Sequence, residues 1–313
     1  MDRSSPVRRY KIMIGAKKKH RLTLLLYSLP FVIFVFMFSY VPIYGWIYAF
    51  FKYRPGLTLE QMEFTGLRYF ALALSGGSRV LNALKNTVAL SSLSLLTSPL
   101  PMIFAIFLNE VRFRRISKLT QTISTLPNFF SWVTIYAVFF AVFAPGEGLL
   151  NLFLSKVINL QEPTNILVND DWAWVFQTAI STYKGIGYSA IIYLAAINGI
   201  DTELYDAADV DGANRWQKIK CITIPFLLQT YFVLLIIGIG YFLNTGFDQY
   251  YVFSNPFVAI KLDVLDTYTY RVGLLQNNYS LGTAVGMMKS LVSIVLLFLA
   301  NSIAKWVRGN SVF

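Results

Sequence analysis

Charge, cysteine and histidine are scarce in this sequence. Only 14% of its 313 residues are Asp, Glu, Lys or Arg, while 56% are hydrophobic. Soluble domains average about 25% charged residues. A chain this apolar has too little polar surface to cover itself in water, so lipid is part of its solvent. The reading is a polytopic membrane protein. There is one cysteine, Cys221, and one histidine, His20. A lone cysteine excludes an internal disulfide. Together the two residues leave no material for a His/Cys metal site, nor for a Ser-His-Asp or Cys-His catalytic set. No G-x-x-x-x-G-K-[ST] phosphate loop occurs. If ATP drives this protein, another chain binds it. No catalytic residue, metal or cofactor is therefore assigned to the chain, and it reads as a non-enzyme.

Positive charge is what is left over, with a net charge of +11. Basic residues gather at the ends of apolar runs, where topology signals sit. Nucleic acid is not the implied partner. Residues 1–21 form a basic arm, read as cytoplasmic, and 22–51 form a first transmembrane helix. That run is too long for the h-region of a signal peptide. Pro30 and Pro42 are expected to kink it. Residues 52–81 read as a mixed polar loop. A second span covers about 84–108, interrupted by Pro99 and Pro101. The next short loop, Asn109 to Lys118, holds four basic residues in ten and marks the cytoplasmic side. A third span covers 119–143, with Pro127 inside it. The loop that follows has one Lys against four acids and reads as external. Within it, Gly148 to Ile158 is apolar but too short to span, as an interfacial or re-entrant helix would be. The fourth span covers 172–197, the fifth 225–247 and the last 283–303. Six spans put both termini inside, and the basic residues agree with each crossing.

Between the fourth and fifth spans lies a polar stretch, residues 199–224. Asp201 can cap a helix over 202–210, with Glu203 favourable in its first turn. Asp211-Gly212 breaks it. A second helix is expected over 213–223, with Ala213, Trp216, Ile219 and Ile222 on one face. Pro225 then opens the fifth span at a first-turn position that needs no amide hydrogen. Asp206, Asp209 and Asp211 balance Arg215, Lys218 and Lys220, which argues against simple lipid adhesion. From periodicity alone, an amphipathic connector and a docking element are equally open.

The residues go further. Asp206-Ala207-Ala208, Asp211-Gly212-Ala213, Ile219, Ile222 and Pro225 resemble the E-A-A-x-x-D-G-A-x-x-x-x-x-F-x-x-I-x-x-P loop of binding-protein-dependent ABC importer permeases. Asp206 stands for Glu and Ile219 for Phe, and both keep the chemical type. Gly246-Phe-Asp-Gln249, Asn255-Pro256, Asp266 to Leu274 and Tyr279 to Gly286 look like the oligo- and polysaccharide sugar permeases of that family. Overall similarity extends to the permeases of bacterial alginate importers. The resemblance spans about residues 20–305, with a permease core at 80–304.

The resemblance implies an all-α membrane protein with six transmembrane helices, the type I ABC importer permease fold, and a cytoplasmic coupling helix between spans 4 and 5. It implies a multi-pass protein of the bacterial inner membrane. It also implies a second homologous permease, two ATP-binding subunits carrying ATP and Mg, and an external solute-binding protein. The substrate would be an oligo- or polysaccharide, with an acidic one such as alginate in view. Arg215 and Trp216 join the motif residues as candidates for contact with the ATPase subunit. For the sugar path the candidates are Lys184, Tyr188, Asn244, Asp248 and Gln249. Lys184 sits roughly 18 Å into its span, and an ionisable group at that depth faces a cavity or a partner. Contact with an anionic sugar and pairing with Asp248 both stay open, as does an interfacial cap for Asp248. Pro99, Pro101, Pro127, Gly185 and Gly187 are candidate bending points, with simple packing relief as the alternative. The competing function is an ion-coupled secondary transporter or channel without an ATPase. It calls for paired repeats or membrane-embedded carboxylates.

Overall fold

The computed structural model describes residues 23–75, 77–144, 147–157 and 166–308. The basic arm 1–21, Pro145, Gly146 and Ile158 lie outside them. Named elements among the described residues are all helical, and one isolated antiparallel bridge joins Phe51 to Phe64.

The first helix, α1 (Thr23–Phe50), is 28 residues long. Pro30 passes without a break. Pro42 is accommodated differently, because the helix loosens into a π turn at Phe36–Tyr40 and tightens into 3-10 geometry over Val41–Phe50. Proline lacks the amide hydrogen and its ring crowds the carbonyl four residues back. A π turn just upstream removes that clash. The same device recurs before Pro225, below. The polar loop after α1 folds into a 3-10 turn and α2 (Arg68–Ser75).

The second apolar run is longer than its sequence suggests. It comprises α3 (Gly77–Thr97) and α4 (Leu100–Glu110), interrupted at Ser98-Pro99. The third is a broken segment. Here α5 (Arg114–Thr125) runs into a 3-10 turn at Leu126–Phe129, and α6 (Trp132–Phe143) leaves at 110°. Ser131 caps α6 by accepting from the Thr134 amide at 3.2 Å. The short apolar helix expected in the next loop is α7 (Leu149–Val157).

At the centre stands α8 (Ala173–Ile197), which passes unbroken through Gly185 and Gly187. Among the described residues, four other helices are long and apolar enough to cross a membrane: α1, the α3–α4 segment, Arg215–Gly240 and Tyr279–Ser302. The bent α5–α6 pair makes five. At 25 residues α8 is long enough as well, but Gln177, Thr178, Ser181, Thr182, Lys184 and Ser189 dilute its hydropathy. It packs against α3, α4 and α5 rather than standing at the rim.

A short helix α9 (Thr202–Val210) follows α8. Next, α10 (Arg215–Lys218), a π turn (Ile219–Thr223) and α11 (Ile224–Gly240) run on as one helix. The stretch between α11 and the last helix then holds α12 (Asp248–Phe253), α13 (Ala259–Leu262), α14 (Leu265–Tyr270) and a third π turn at Arg271–Leu275. The last helix is α15 (Tyr279–Arg308). Gly282 lets α15 approach that π turn, since a Cβ there would lie 2.8 Å from the Gly273 Cα.

Two apolar clusters hold α8 at its ends. Ile180 and Ala173 pack with Leu90, Ile135, Phe253 and Leu262. Ala190, Tyr193 and Ile197 pack with Ala105, Ile219 and Leu227. In lipid such contacts act through close packing and interhelical hydrogen bonds rather than through expulsion of water.

Candidate functional site

Two places can do chemistry, and α8 joins them. The first is the polar stretch beyond its C-terminal end. Asp201 caps α9 by accepting from the Glu203 amide at 3.0 Å, and α9 spans the residues its cap predicts. Gly212 turns the chain with φ of 71°, a conformation that costs other residues about 1–2 kcal/mol. The second helix begins at Arg215, not Ala213, because Asn214 and Gln217 form a capping box with bonds of 2.7 and 2.9 Å. That Asn-x-x-Gln signal stood in the sequence. Nor does this helix stop before Pro225. The π turn at Ile219–Thr223 admits the proline and carries the helix on into α11.

Two contacts fix α9 beside that helix. Lys218 pairs with Asp209 across the corner, and the Tyr205 hydroxyl meets that of Thr223 at 2.9 Å. The face predicted for Ala213, Trp216, Ile219 and Ile222 divides. Ile219 is buried in the bundle, while Trp216 points outward at 71% exposure. Three residues advance a helix by about 300°, so such a series drifts around the surface. Asp206, Ala207, Asp211, Gly212, Arg215 and Pro225 are exposed, while Ala208, Ala213 and Ile222 are half-buried. Leu204 and Val210 are also exposed, Val210 at 89%. The result is a rigid corner of mixed charge carrying bare apolar side chains.

The second place is a cavity of about 480 Å³ between α3, α8 and α11. Its wall holds Ser91 and Ser94 from α3, Ser98 from the break after it, and Ser181, Thr182 and Ser189 from α8. Among the described residues, no Asp, Glu, Lys, Arg or His lines it. Ser91, Ser94 and Ser98 recur at intervals of three and four residues, and Thr178, Thr182 and Ser189 at four and seven, as one face of a helix requires. That spacing is the signal by which the sequence marks the stripe. Tyr231 closes one side, its hydroxyl 3.1 Å from that of Ser98. Thr245 Oγ1 is buried with no hydrogen-bond partner, and Tyr250 borders the same space. Burial, with the Asp266 carboxylate second, pushes the Tyr250 phenol upward, so it remains a neutral hydroxyl.

Of the five residues expected on the sugar path, Asn244 lines this cavity. The others lie elsewhere. Gln249 is buried and donates to the Gln177 carbonyl at 2.9 Å and its side-chain oxygen at 2.8 Å, tying α12 to α8. Asp248 is exposed in the first turn of α12. Tyr188 is half exposed on another face of α8, edge-on to Phe129 with centroids 6.5 Å apart. Lys184 pairs with neither Asp248 nor any other carboxylate among the described residues. It is 9% exposed and donates to three backbone carbonyls. Gly185, next to it, borders the cavity.

Residues 97–309 match the family described as binding-protein-dependent transport system inner membrane component. Protein LplB of Bacillus subtilis (strain 168) is 37% identical over 294 residues, 94% of this chain and 91% of that protein. The polygalacturonan/rhamnogalacturonan transport system permease protein YteP of the same organism is 36% identical over 299 residues, 95% of this chain and 92% of that one. Among solved structures, a bacterial alginate ABC transporter in complex with an alginate pentasaccharide-bound periplasmic protein contains a similar chain. It aligns with a TM-score of 0.83 at 34% identity, covering 94% of this chain and 99% of that one.

Proposed function

Because this chain belongs to the inner membrane components of binding-protein-dependent transport systems, a permease subunit of an ATP-driven importer, we propose that it imports fragments of acidic polysaccharides. The carrying observation is the likeness, across more than nine-tenths of the chain, to proteins named for polygalacturonan, rhamnogalacturonan and alginate transport. The cavity supports a saccharide in particular. A wall of neutral hydroxyls suits a ligand that is itself a lattice of hydroxyls, and suits a bare ion poorly.

In this reading the chain crosses the inner membrane six times, with α8 as the fourth crossing and the permease core at about 80–304. Both termini are cytoplasmic. The corner at 199–224 docks on an ATP-binding subunit that holds ATP and Mg. A second permease completes the path, and an external binding protein delivers the sugar. ATP binding draws the docked corners together, and α8, continuous with α9 except for four residues, carries that movement to the cavity. Since no ionic side chain among the described residues lines this cavity, preference for uronate over neutral sugar resides in the binding protein or the second permease. The test is uptake of labelled oligouronates and neutral oligosaccharides by the complete complex in proteoliposomes. ATP-dependent uptake of oligouronate that requires the binding protein is the expected result. Uptake of neutral saccharides alone overturns the substrate class, and uptake without an ATPase overturns the mechanism.

A further inference from the structure

Lys184 lies at the twelfth position of the 25-residue helix α8, about 18 Å from its start. A buried cation at that depth is expensive unless paired. No carboxylate pairs with it among the described residues. Its Nζ donates instead to the carbonyls of Pro127 at 3.1 Å, Asn128 at 2.9 Å and Phe130 at 2.7 Å. An ammonium group has three donors, and all three are used. The Trp132 ring sits beside it, 5.3 Å from Nζ to centroid, which adds a cation–π attraction.

The Pro127 and Asn128 carbonyls belong to the 3-10 turn at Leu126–Phe129, where that of Pro127 also accepts from the Phe130 amide at 3.2 Å, and the Phe130 carbonyl lies between the turn and α6. A helix end leaves its last carbonyls without helical partners, and they carry the negative end of the dipole. At membrane depth such groups need a donor from another segment. Lys184 supplies it. One turn further along α8, Gly187 receives the same segment. A Cβ there would lie 2.2 Å from the Ser124 carbonyl oxygen, so the backbone of α5 rests directly on α8. The bent segment is thus gripped at two successive turns, once by charge and once by contact.

We propose that Lys184 is a positioning residue, a tethered cation filling a three-carbonyl site, which locks the α5–α6 break to α8 so that the two move as one body during transport. The structural part stands on geometry alone. The transport part rests on the importer reading, and wild-type uptake in the same assay tests that reading separately.

Chemical rescue distinguishes this role from packing and from sugar contact. Lys184→Ala empties the site, and methylammonium, which crosses membranes as the free amine, refills it. Lys184→Met restores bulk without charge. The purified chain in detergent and the full complex in proteoliposomes are compared with and without methylammonium chloride, with sodium chloride at equal concentration as control. We expect Lys184→Ala to melt at lower temperature and to lose about tenfold in uptake, as removal of one buried charged donor does. The loss falls equally on neutral and acidic saccharides. Methylammonium restores both readouts in part and sodium does not, while Lys184→Met remains defective. If Lys184→Ala does not assemble, methylammonium during expression restores assembly. Full recovery by Lys184→Met, an absence of rescue by methylammonium in every readout, or a loss confined to acidic saccharides each overturns the proposal.

Discussion

Gly185 and Gly187 are two residues apart on α8 and point in nearly opposite directions, since two residues advance a helix by about 200°. A Cβ at Gly185 meets nothing within 4 Å and opens on the cavity, whereas one at Gly187 meets the Ser124 carbonyl. Opposite outcomes follow. Gly187→Ala forces α5 away from α8 and costs about 1–3 kcal/mol, visible as a lower melting temperature of the purified chain. Gly185→Leu leaves melting close to wild type but fills the cavity, so proteoliposome uptake falls. Normal uptake by Gly185→Leu removes this cavity from the path. At Asp266 the issue is charge. It pairs with Lys289, and both side chains are largely buried. Lys289→Met leaves that carboxylate unpaired and costs about 3 kcal/mol, again read by melting. None of these distinctions is readable from residue type. A glycine or lysine within an apolar run has the same local signature whichever neighbour it faces.

Helices show how local chemistry sets boundaries and distant chemistry sets angles. The limits of α9 follow from Asp201 at its start and Asp211-Gly212 at its end. Pro42 and Pro225 each follow a π turn, so their effect is a wider turn rather than a stop. By contrast, at the 110° bend after α5 three backbone carbonyls accept from a lysine 54 to 57 positions away in sequence. At the corner, Trp216 is 71% exposed, and the proposed docking on an ATP-binding subunit makes it the side chain to test. Trp216→Ala should leave melting unchanged and weaken capture of the ATP-binding subunit by about 2 kcal/mol or more, as loss of an interface tryptophan does. Co-purification from tagged complexes measures it, and undiminished capture places the contact elsewhere. Gly212→Asn, which tolerates positive φ, should keep both fold and capture, while Gly212→Val loses them.

On the scale of the whole molecule, the chain is a set of apolar helices around one that is not uniformly apolar. The most apolar stretch of α1 has none of its residues buried within the chain, and it offers itself to lipid or to another subunit. The centre is occupied by α8, whose hydroxyl stripe excludes it from a count based on hydropathy. The neutral wall leads to a prediction for the complete transporter. Ser94→Ala and Ser181→Ala should slow neutral and acidic saccharides in parallel, by up to about fivefold each, the worth of one hydrogen bond. Exchange of the binding protein should change which sugar is taken. A cavity variant that alters acidic uptake alone contradicts the assignment of charge preference to other subunits.

The sequence by itself determined the solvent, the helical class, the extents of α1 and α8, and that of α9 in the corner at 199–224. Those properties depend on hydropathy, periodicity and capping, which act within a few residues. Tertiary structure alone decided that the third apolar run is broken, that Lys184 donates to carbonyls at the break instead of lining the cavity, and that serines of α3 and α8 share one cavity. The physical reason is that a buried polar group takes whichever partner the packing brings near. For Lys184 that partner lies on another helix, more than fifty residues away along the chain.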